Sequence, residues 1–360
     1  METTALILLW IFGVDFAGIL LTEIVHQIRA WKYSFAGKHV VITGGSSGLG
    51  LEMAKQIASE SAKVTIIARN QTQLEKAKDE ITSYCQSKGL MTPLVEIEQA
   101  DICNREEIQK AINASAQTNG AVDVIICNAG MAKTGYAFGQ TIQDYDDSVR
   151  INYMGTVNTL FGVVPRMIQR NHGEIYLVGS TCSMLSYIGY CAYSPSKYAV
   201  KGLADGLRME LQRCNIRVGC IYPPNMDTPC LKKENETKPE EGLYVEKHLE
   251  SLFSSADIAR KAIRHIKRGE PQIYCDLDAW AVSMINGSIG PHNNIFVSIL
   301  FAAPAILFTS AFRWILLGIY RMKQFVGPEK RKKWVAGSSN SEIEDRVFAS
   351  LLHVGWNHFD

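Results

Sequence analysis

The sequence predicts a doubly wound α/β fold on a parallel sheet, with apolar membrane-associating segments at both ends. Three observations predict it. Between His39 and Asp276, short apolar runs alternate with stretches of helical period. The first of these runs leads straight into a glycine-rich turn and a helix. Long apolar stretches lie outside this region on either side. Near-continuous apolar strands suit a parallel sheet buried on both faces, and regular strand–helix alternation is the pattern of a doubly wound sheet.

The strands read as His39–Thr43, Val64–Ile67, Val122–Cys127, Glu174–Val178 and Ile216–Tyr222, with a further strand expected before Asp101. Between them lie helical stretches over Leu51–Ala58, Gln71–Cys85, Arg105–Gln117 and Tyr190–Cys214. Ligands of such sheets bind at the carboxyl ends of the strands, so the residues just after each strand are the ones to read for chemistry.

Composition narrows the choices. The chain has 360 residues, 47% of them hydrophobic, enough for one large α/β domain with segments to spare. Its formal net charge of +1 gives no reason to expect nucleic acid as a partner. The nine cysteines are scattered without a C-x-x-C pair, which argues against a disulfide framework and against a zinc site, so no metal is expected. Internal repeats and low-complexity tracts are absent from the sequence.

The ends read differently from the middle. Ala5–Leu21 is apolar apart from Asp15, just long enough to span a bilayer if flanking residues help. His26, Arg29 and Lys32 follow it, which puts the rest of the chain on the cytosolic side. A cleaved signal peptide fits poorly, because no Lys or Arg precedes the run and no small-x-small site follows it. A helix packed on the domain is the other reading, kept open by the cost of Asp15 at membrane depth. A second apolar region, Ile295–Tyr320, contains Pro304 and Arg313 and precedes a basic tail. A cytosolic tail then requires a hairpin broken near Pro304 or a helix in the interface. The alternative is a single crossing with a lumenal tail. The expected layout is an anchor over 1–30, a catalytic domain over 31–276, a membrane-associated segment over 277–325 and a cytosolic tail over 326–360. The sequons at Asn70, Asn113, Asn235 and Asn286 are chance matches in a cytosolic protein.

The turn after the first strand is Gly44-Gly45-Ser46-Ser47-Gly48-Leu49-Gly50. Glycines allow a tight turn and close approach to a pyrophosphate, and the new helix offers free N–H groups and the positive end of its dipole. Gly44, Ser46, Ser47, Gly48 and Gly50 are therefore candidate cofactor contacts. Enzymes that choose NAD place an acidic residue after the second strand to hold the ribose 2′-hydroxyl; here Arg69 stands there. Its guanidinium suits a 2′-phosphate, so the expected cofactor is NADPH. Asp101 is placed to meet the adenine, and Asn128-Ala129-Gly130 to let the backbone pass close to the cofactor.

The reacting groups follow. Tyr193-Ser194-Pro195-Ser196-Lys197 begins a helix, and i, i+4 spacing puts Tyr193 and Lys197 on one face. Ser180 ends the preceding strand, and Asn152 lies in the helix before that. Reduction of a ketone needs a hydride at carbon and a proton at oxygen. A tyrosine hydroxyl titrates near pH 10 and needs a nearby ammonium to work near neutrality, which Lys197 supplies. Lys197 can also bond the nicotinamide ribose. Ser180 donates to the carbonyl oxygen and steadies its developing charge, and Asn152 would hold a water that links Lys197 to solvent.

Residues 38 to about 276 resemble the short-chain dehydrogenase/reductase family, whose fold is Rossmann-like. The matching elements are Thr43-Gly-x-x-x-Gly48-x-Gly50, Asn128-Ala-Gly, Asn152, Ser180 and Tyr193-x-x-x-Lys197. Two departures stand out: Cys127 where the family commonly has Asn, and Pro223-Pro224-Asn225 where it has Pro-Gly. Thr228 sits where the family contacts the cofactor. A closer resemblance, to the family's membrane-bound reductases of long-chain sphingoid ketones, is carried by Thr43-Gly-Gly-Ser-Ser-Gly, by Ala68-Arg69-Asn70, and by Tyr222 through Asp227-Thr228-Pro229 to Pro239. Those reductases carry a Lys where this chain has Gln73. The resemblance implies an endoplasmic reticulum membrane enzyme facing the cytosol, acting on a long-chain keto-amine lipid in sphingolipid synthesis. The family also implies a homo-oligomer through the helices of Asn152 and Tyr193.

Met184, Leu185, Tyr187 and Ile188, just after Ser180, are candidates for an apolar substrate pocket or for ordinary core. Two other functions stay open on the residues alone: reduction of another apolar ketone, a 3-ketoacyl-CoA or a steroid, and a non-catalytic scaffold of the same fold. Intact Ser180, Tyr193 and Lys197 argue against the scaffold.

Overall fold

The computed structural model describes residues 2–90, 92–286, 315, 318 and 319, with side chains from Phe16 onward except at 249 and 284–286. In chain order the elements are α1 (Glu2–Lys32), β1 (His39–Thr43), α2 (Gly48–Ala58), β2 (Lys63–Ala68), α3 (Gln71–Ser87), β3 (Leu94–Gln99), α4 (Arg105–Asn119), β4 (Val124–Cys127), α5 (Ile142–Ser148), α6 (Gly155–Arg170), β5 (Gly173–Val178), α7 (Tyr193–Leu211), β6 (Ile216–Tyr222), α8 (Pro229–Asn235), α9 (Glu240–Leu249), α10 (Ser255–Arg268), β7 (Gln272–Tyr274) and α11 (Leu277–Asn286).

All seven strands pair in parallel, in the order β3-β2-β1-β4-β5-β6-β7. Alternate strand residues feed two cores. Val40, Ile42, Val64, Ile66, Val124 and Ile126 face α2, α3 and α10. Val41, Ile67, Ile125, Cys127, Ile175 and Leu177 face α4, α6 and α7. Each strand therefore needs apolar side chains on both faces, which is why the strands read as continuous apolar runs rather than alternating ones. Ala279 and Val282 of α11 are buried in the second core.

The chain runs outward through β1, β2 and β3, then returns to place β4 beside β1, with Thr43 level with Cys127. That reversal opens a crevice between the carboxyl ends of β1 and β4, where such sheets bind ligands.

The bilayer-spanning helix expected over Ala5–Leu21 is not found as such. Those residues lie in α1, and among the described residues no helix is long and apolar enough to cross a membrane. The described half of α1 carries charge and is fastened to the domain. Glu23 takes both Nη atoms of Arg268, at 2.8 and 2.7 Å, and His26 is buried beside them. The expected hairpin near Pro304 and the basic tail lie outside the described residues.

Candidate active site

The crevice is lined by Gly44, Ser46, Arg69, Gln73, Asp101 and Gly130, among others. Its floor is the glycine turn, held by Asn128. The Asn128 amide donates to the carbonyls of Thr43 and Gly44 at 3.2 and 3.0 Å, and its own backbone N–H donates to Thr43 Oγ1 at 3.1 Å. A Cβ at Gly50 would come 2.4 Å from the Gly44 oxygen and 2.5 Å from Asn128 Nδ2, so only glycine lets this turn close. Gly48 has φ +54, a left-handed conformation natural to glycine, and lies against the Thr228 methyl. Asn128 is thus a clamp on the turn, a role its motif position alone did not reveal.

Ser47 precedes α2 without a side-chain hydrogen bond to it, and the first turn of α2 holds no acidic residue. Its leading N–H groups are left for a ligand, and the helix dipole favours an anionic one. Arg69 is exposed on the rim and makes no ion pair among the described residues. Asp101 has part of its capacity committed: Oδ1 accepts from Cys103 N at 2.9 Å. The Thr228 hydroxyl caps α8 through Leu231 N at 3.3 Å, so its contact to a cofactor would have to share that role.

Ser180, Tyr193 and Lys197 meet beside this crevice. Ser180 starts a one-turn 3-10 helix at Thr181–Ser183. Its oxygen accepts from Cys182 N at 3.1 Å, which leaves the hydroxyl hydrogen to donate. Tyr193 opens α7. Desolvation pushes its hydroxyl well above the usual tyrosine range, while a hydrogen bond with Ser180 pulls the other way. One turn on, Lys197 is buried, with Nζ 5.8 Å from the Tyr193 ring centroid and 3.0 Å from the Val178 carbonyl. Burial lowers its pKa to about 8. A Cβ on Gly130 would sit 2.8 Å from Asn152 Oδ1 and 3.4 Å from Lys197 Nζ, so the backbone after β4 passes directly over both.

Asn152 lies in a π-helical segment, Val149–Met154, between α5 and α6. Insertions of this kind frequently sit at functional sites, and none was legible in the sequence. The side chain is buried and latched: Oδ1 accepts from Met131 N at 2.8 Å, and Nδ2 donates to Met131 O and Ser196 Oγ, both at 2.9 Å. Both amide hydrogens are committed to protein, so a water relay would have to use Oδ1 or the backbone carbonyl.

A second cleft, of about 230 Å³, opens at Ser180. It is lined by Thr181, Cys182, Tyr187, Tyr190, Pro223, Pro224, Asn225, Phe253 and Val282, and by the carboxylates of Glu250, Asp276 and Asp278. Of the four residues suggested for an apolar pocket, Tyr187 lines it, whereas Met184 is buried in the second core and Leu185 packs on that core. The three carboxylates were not found by sequence reasoning. They sit far along the chain from Ser180: Asp276 and Asp278 reach it because β5, β6 and β7 end side by side, and Glu250 because the segment after α9 is bonded to Asn225, after β6. Beneath the cleft, the Tyr190 hydroxyl donates to Glu234, and Lys238 bridges Glu234 to Glu246. This network ties α8 and α9 to the segment before Tyr193.

Known proteins agree with this geometry. A sequence model of the short chain dehydrogenase family matches residues 38–239. A 3-ketodihydrosphingosine reductase of Dictyostelium discoideum is 31% identical over 297 residues, 79% of this chain and 89% of that protein. A 3-ketodihydrosphingosine reductase of Bos taurus is 30% identical over 78% of this chain and 83% of its own. Among solved structures, a short-chain dehydrogenase from Sphingobium yanoikuyae in complex with NADPH superposes with a TM-score of 0.58 at 23% identity, covering 67% of this chain and 88% of that one, a likeness of fold. The parallel sheet, the glycine turn at its switch point and these matches lead to one conclusion: the chain is an oxidoreductase and belongs to the short chain dehydrogenase family.

Proposed function

We propose that the chain reduces 3-ketodihydrosphingosine, a long-chain keto-amine, to dihydrosphingosine with NADPH. The observation that carries the chemistry is that Ser180, at the second cleft, bonds Tyr193, and that Lys197 lies 5.8 Å from the Tyr193 ring beneath Gly130 of the crevice. The substrate is taken from the relatives that bear that name.

The crevice fits a dinucleotide. The uncapped N-terminus of α2 suits its pyrophosphate, and the unpaired Arg69 suits a 2′-phosphate. When bound, NADPH supplies the hydride that the carbonyl carbon accepts. The protein's own part is the proton. Tyr193, held protonated by its desolvated site, gives its proton to the carbonyl oxygen. Ser180 donates a second hydrogen bond to that oxygen as charge builds on it. Lys197 is still largely charged below its pKa of about 8 and faces the phenolate left behind. The Val178 carbonyl, at 3.0 Å, and the backbone of Gly130 limit where the Lys197 ammonium can lie.

A membrane location on the cytosolic face of the endoplasmic reticulum suits a lipid ketone. Support comes from α1, where Phe16, Leu20, Leu21, Ile24, Ile28 and Trp31 are exposed, Trp31 at 85%. Such a face is suited to the bilayer interface. A homo-oligomer is supported by exposed Phe161 and Ile168 on α6 and Tyr198 and Met209 on α7.

The test is turnover. With NADPH, the protein is expected to convert 3-ketodihydrosphingosine to dihydrosphingosine, and to do so poorly with NADH. Turnover of a 3-ketoacyl-CoA but not of the keto-amine would overturn the substrate.

A further inference from the structure

We propose that Glu250 selects the substrate by pairing with its ammonium group, so that the enzyme distinguishes a keto-amine from a ketone of the same length. This rests on the keto-amine reading above and names the residue behind it. The cleft that opens at Ser180 carries three carboxylates, Glu250, Asp276 and Asp278, and among the described residues no Lys or Arg lines it. Among the described residues none of the three makes an ion pair.

Asp276 and Asp278 have a simpler explanation: they sit at the start of α11, where Asp276 Oδ1 accepts from Ala279 N at 3.3 Å and helix-dipole stabilisation accounts for both. Glu250 has no such reason to be there. It follows the C-terminus of α9, where the dipole disfavours an anion. It is also half-buried. Its Oε2 accepts from the Asn225 amide, and among the described residues Oε1 makes no hydrogen bond.

Burial raises the Glu250 pKa to about 7; Lys238, held by Glu234 and Glu246, draws it back down, and the neighbouring carboxylates add to the push. A half-buried carboxylate without an ion pair of its own is costly, and an incoming ammonium would relieve that cost. The surrounding surface suits the same group: the Tyr187 ring lines the cleft, and aromatic faces attract ammonium, as Lys238 and Lys261 already show by lying 5.7 and 5.2 Å from the Tyr190 and Phe253 rings. The chemistry fits the position, since the amine of a 2-amino-3-ketone is carried on the carbon next to the carbonyl that Ser180 would meet. An acyl-CoA would bring phosphates toward the same carboxylates.

The experiment compares two substrates of equal length, the keto-amine and the same 1-hydroxy-3-ketone without the amine. In Glu250→Gln, KM for the keto-amine is expected to rise at least tenfold while KM for the amine-free ketone stays within twofold. Equal changes with both substrates, or none with either, overturn the proposal and leave Glu250 as a support for Asn225. If the unaltered enzyme turns over no keto-amine, the substrate reading itself fails, and the proposal with it.

A second measurement needs no variant. Against the unaltered enzyme, a long-chain primary amine is expected to inhibit at least tenfold more tightly than its N-acetyl derivative. Equal inhibition overturns the proposal even if Glu250→Gln does not fold.

Discussion

Arg69 is the side chain on which the proposed choice of NADPH rests. It ends the second strand at the crevice rim, where a carboxylate would hold a ribose hydroxyl. Replacing it with Ala is expected to raise KM for NADPH about tenfold or more, the value of one charge-assisted contact, while KM for NADH barely moves. An unchanged NADPH to NADH ratio would remove Arg69 from cofactor choice. Lys197 sets a pH limit. Its pKa is lowered to about 8 by burial, so the ammonium is present below that pH and lost above it. The rate of reduction is therefore expected to fall as pH rises through about 8, read from initial rates at saturating substrate. A flat profile to pH 9.5 would show that the charge is not needed.

The glycine turn is the element that depends most on its sequence. Gly50→Ala would drive a Cβ into the Gly44 carbonyl and the Asn128 amide. A loss of about 1–3 kcal/mol in unfolding free energy is expected from such overpacking, together with loss of NADPH binding; denaturant titration and cofactor fluorescence read the two. Much of this element was legible beforehand, because the glycine spacing and the strand before it are local facts. The same holds for the i, i+4 pair of Tyr193 and Lys197. The π-helical turn at Asn152 was not legible, since an extra residue in a helical turn leaves no mark on apolar period. Two strands were also faint. Leu94-Val-Glu-Ile-Glu-Gln99 is the sheet edge and carries charge, and Gln272–Tyr274 is too short to show a pattern.

Across the whole molecule, long-range contacts were what the sequence concealed. Glu174 illustrates this. It is buried at the start of β5 and bound by Lys38 at 2.8 Å, Arg217 at 3.2 Å, and the hydroxyls of Tyr33 and Tyr176 at 3.2 and 2.9 Å. These partners come from the segment before β1, from β5 itself and from β6, so the cluster locks that end of the sheet. Removing Glu174 takes the acceptor from the buried Tyr176 hydroxyl, while Lys38 and Arg217 still reach water. Glu174→Ala is expected to cost about 1–3 kcal/mol, read as a lowered denaturant midpoint with an unchanged slope. The carboxylates at the Ser180 cleft were hidden for the same reason: only the folded chain brings Glu250 and Asp276 to Ser180.

The central claim is that Tyr193 delivers the proton in a carbonyl reduction. Tyr193→Phe keeps the ring and removes only the hydroxyl, so it tests that claim most directly, with 3-ketodihydrosphingosine and NADPH. A fall in kcat of about 10²–10⁴-fold is expected, with NADPH binding unchanged by fluorescence titration. A variant that turned over at the normal rate would contradict it.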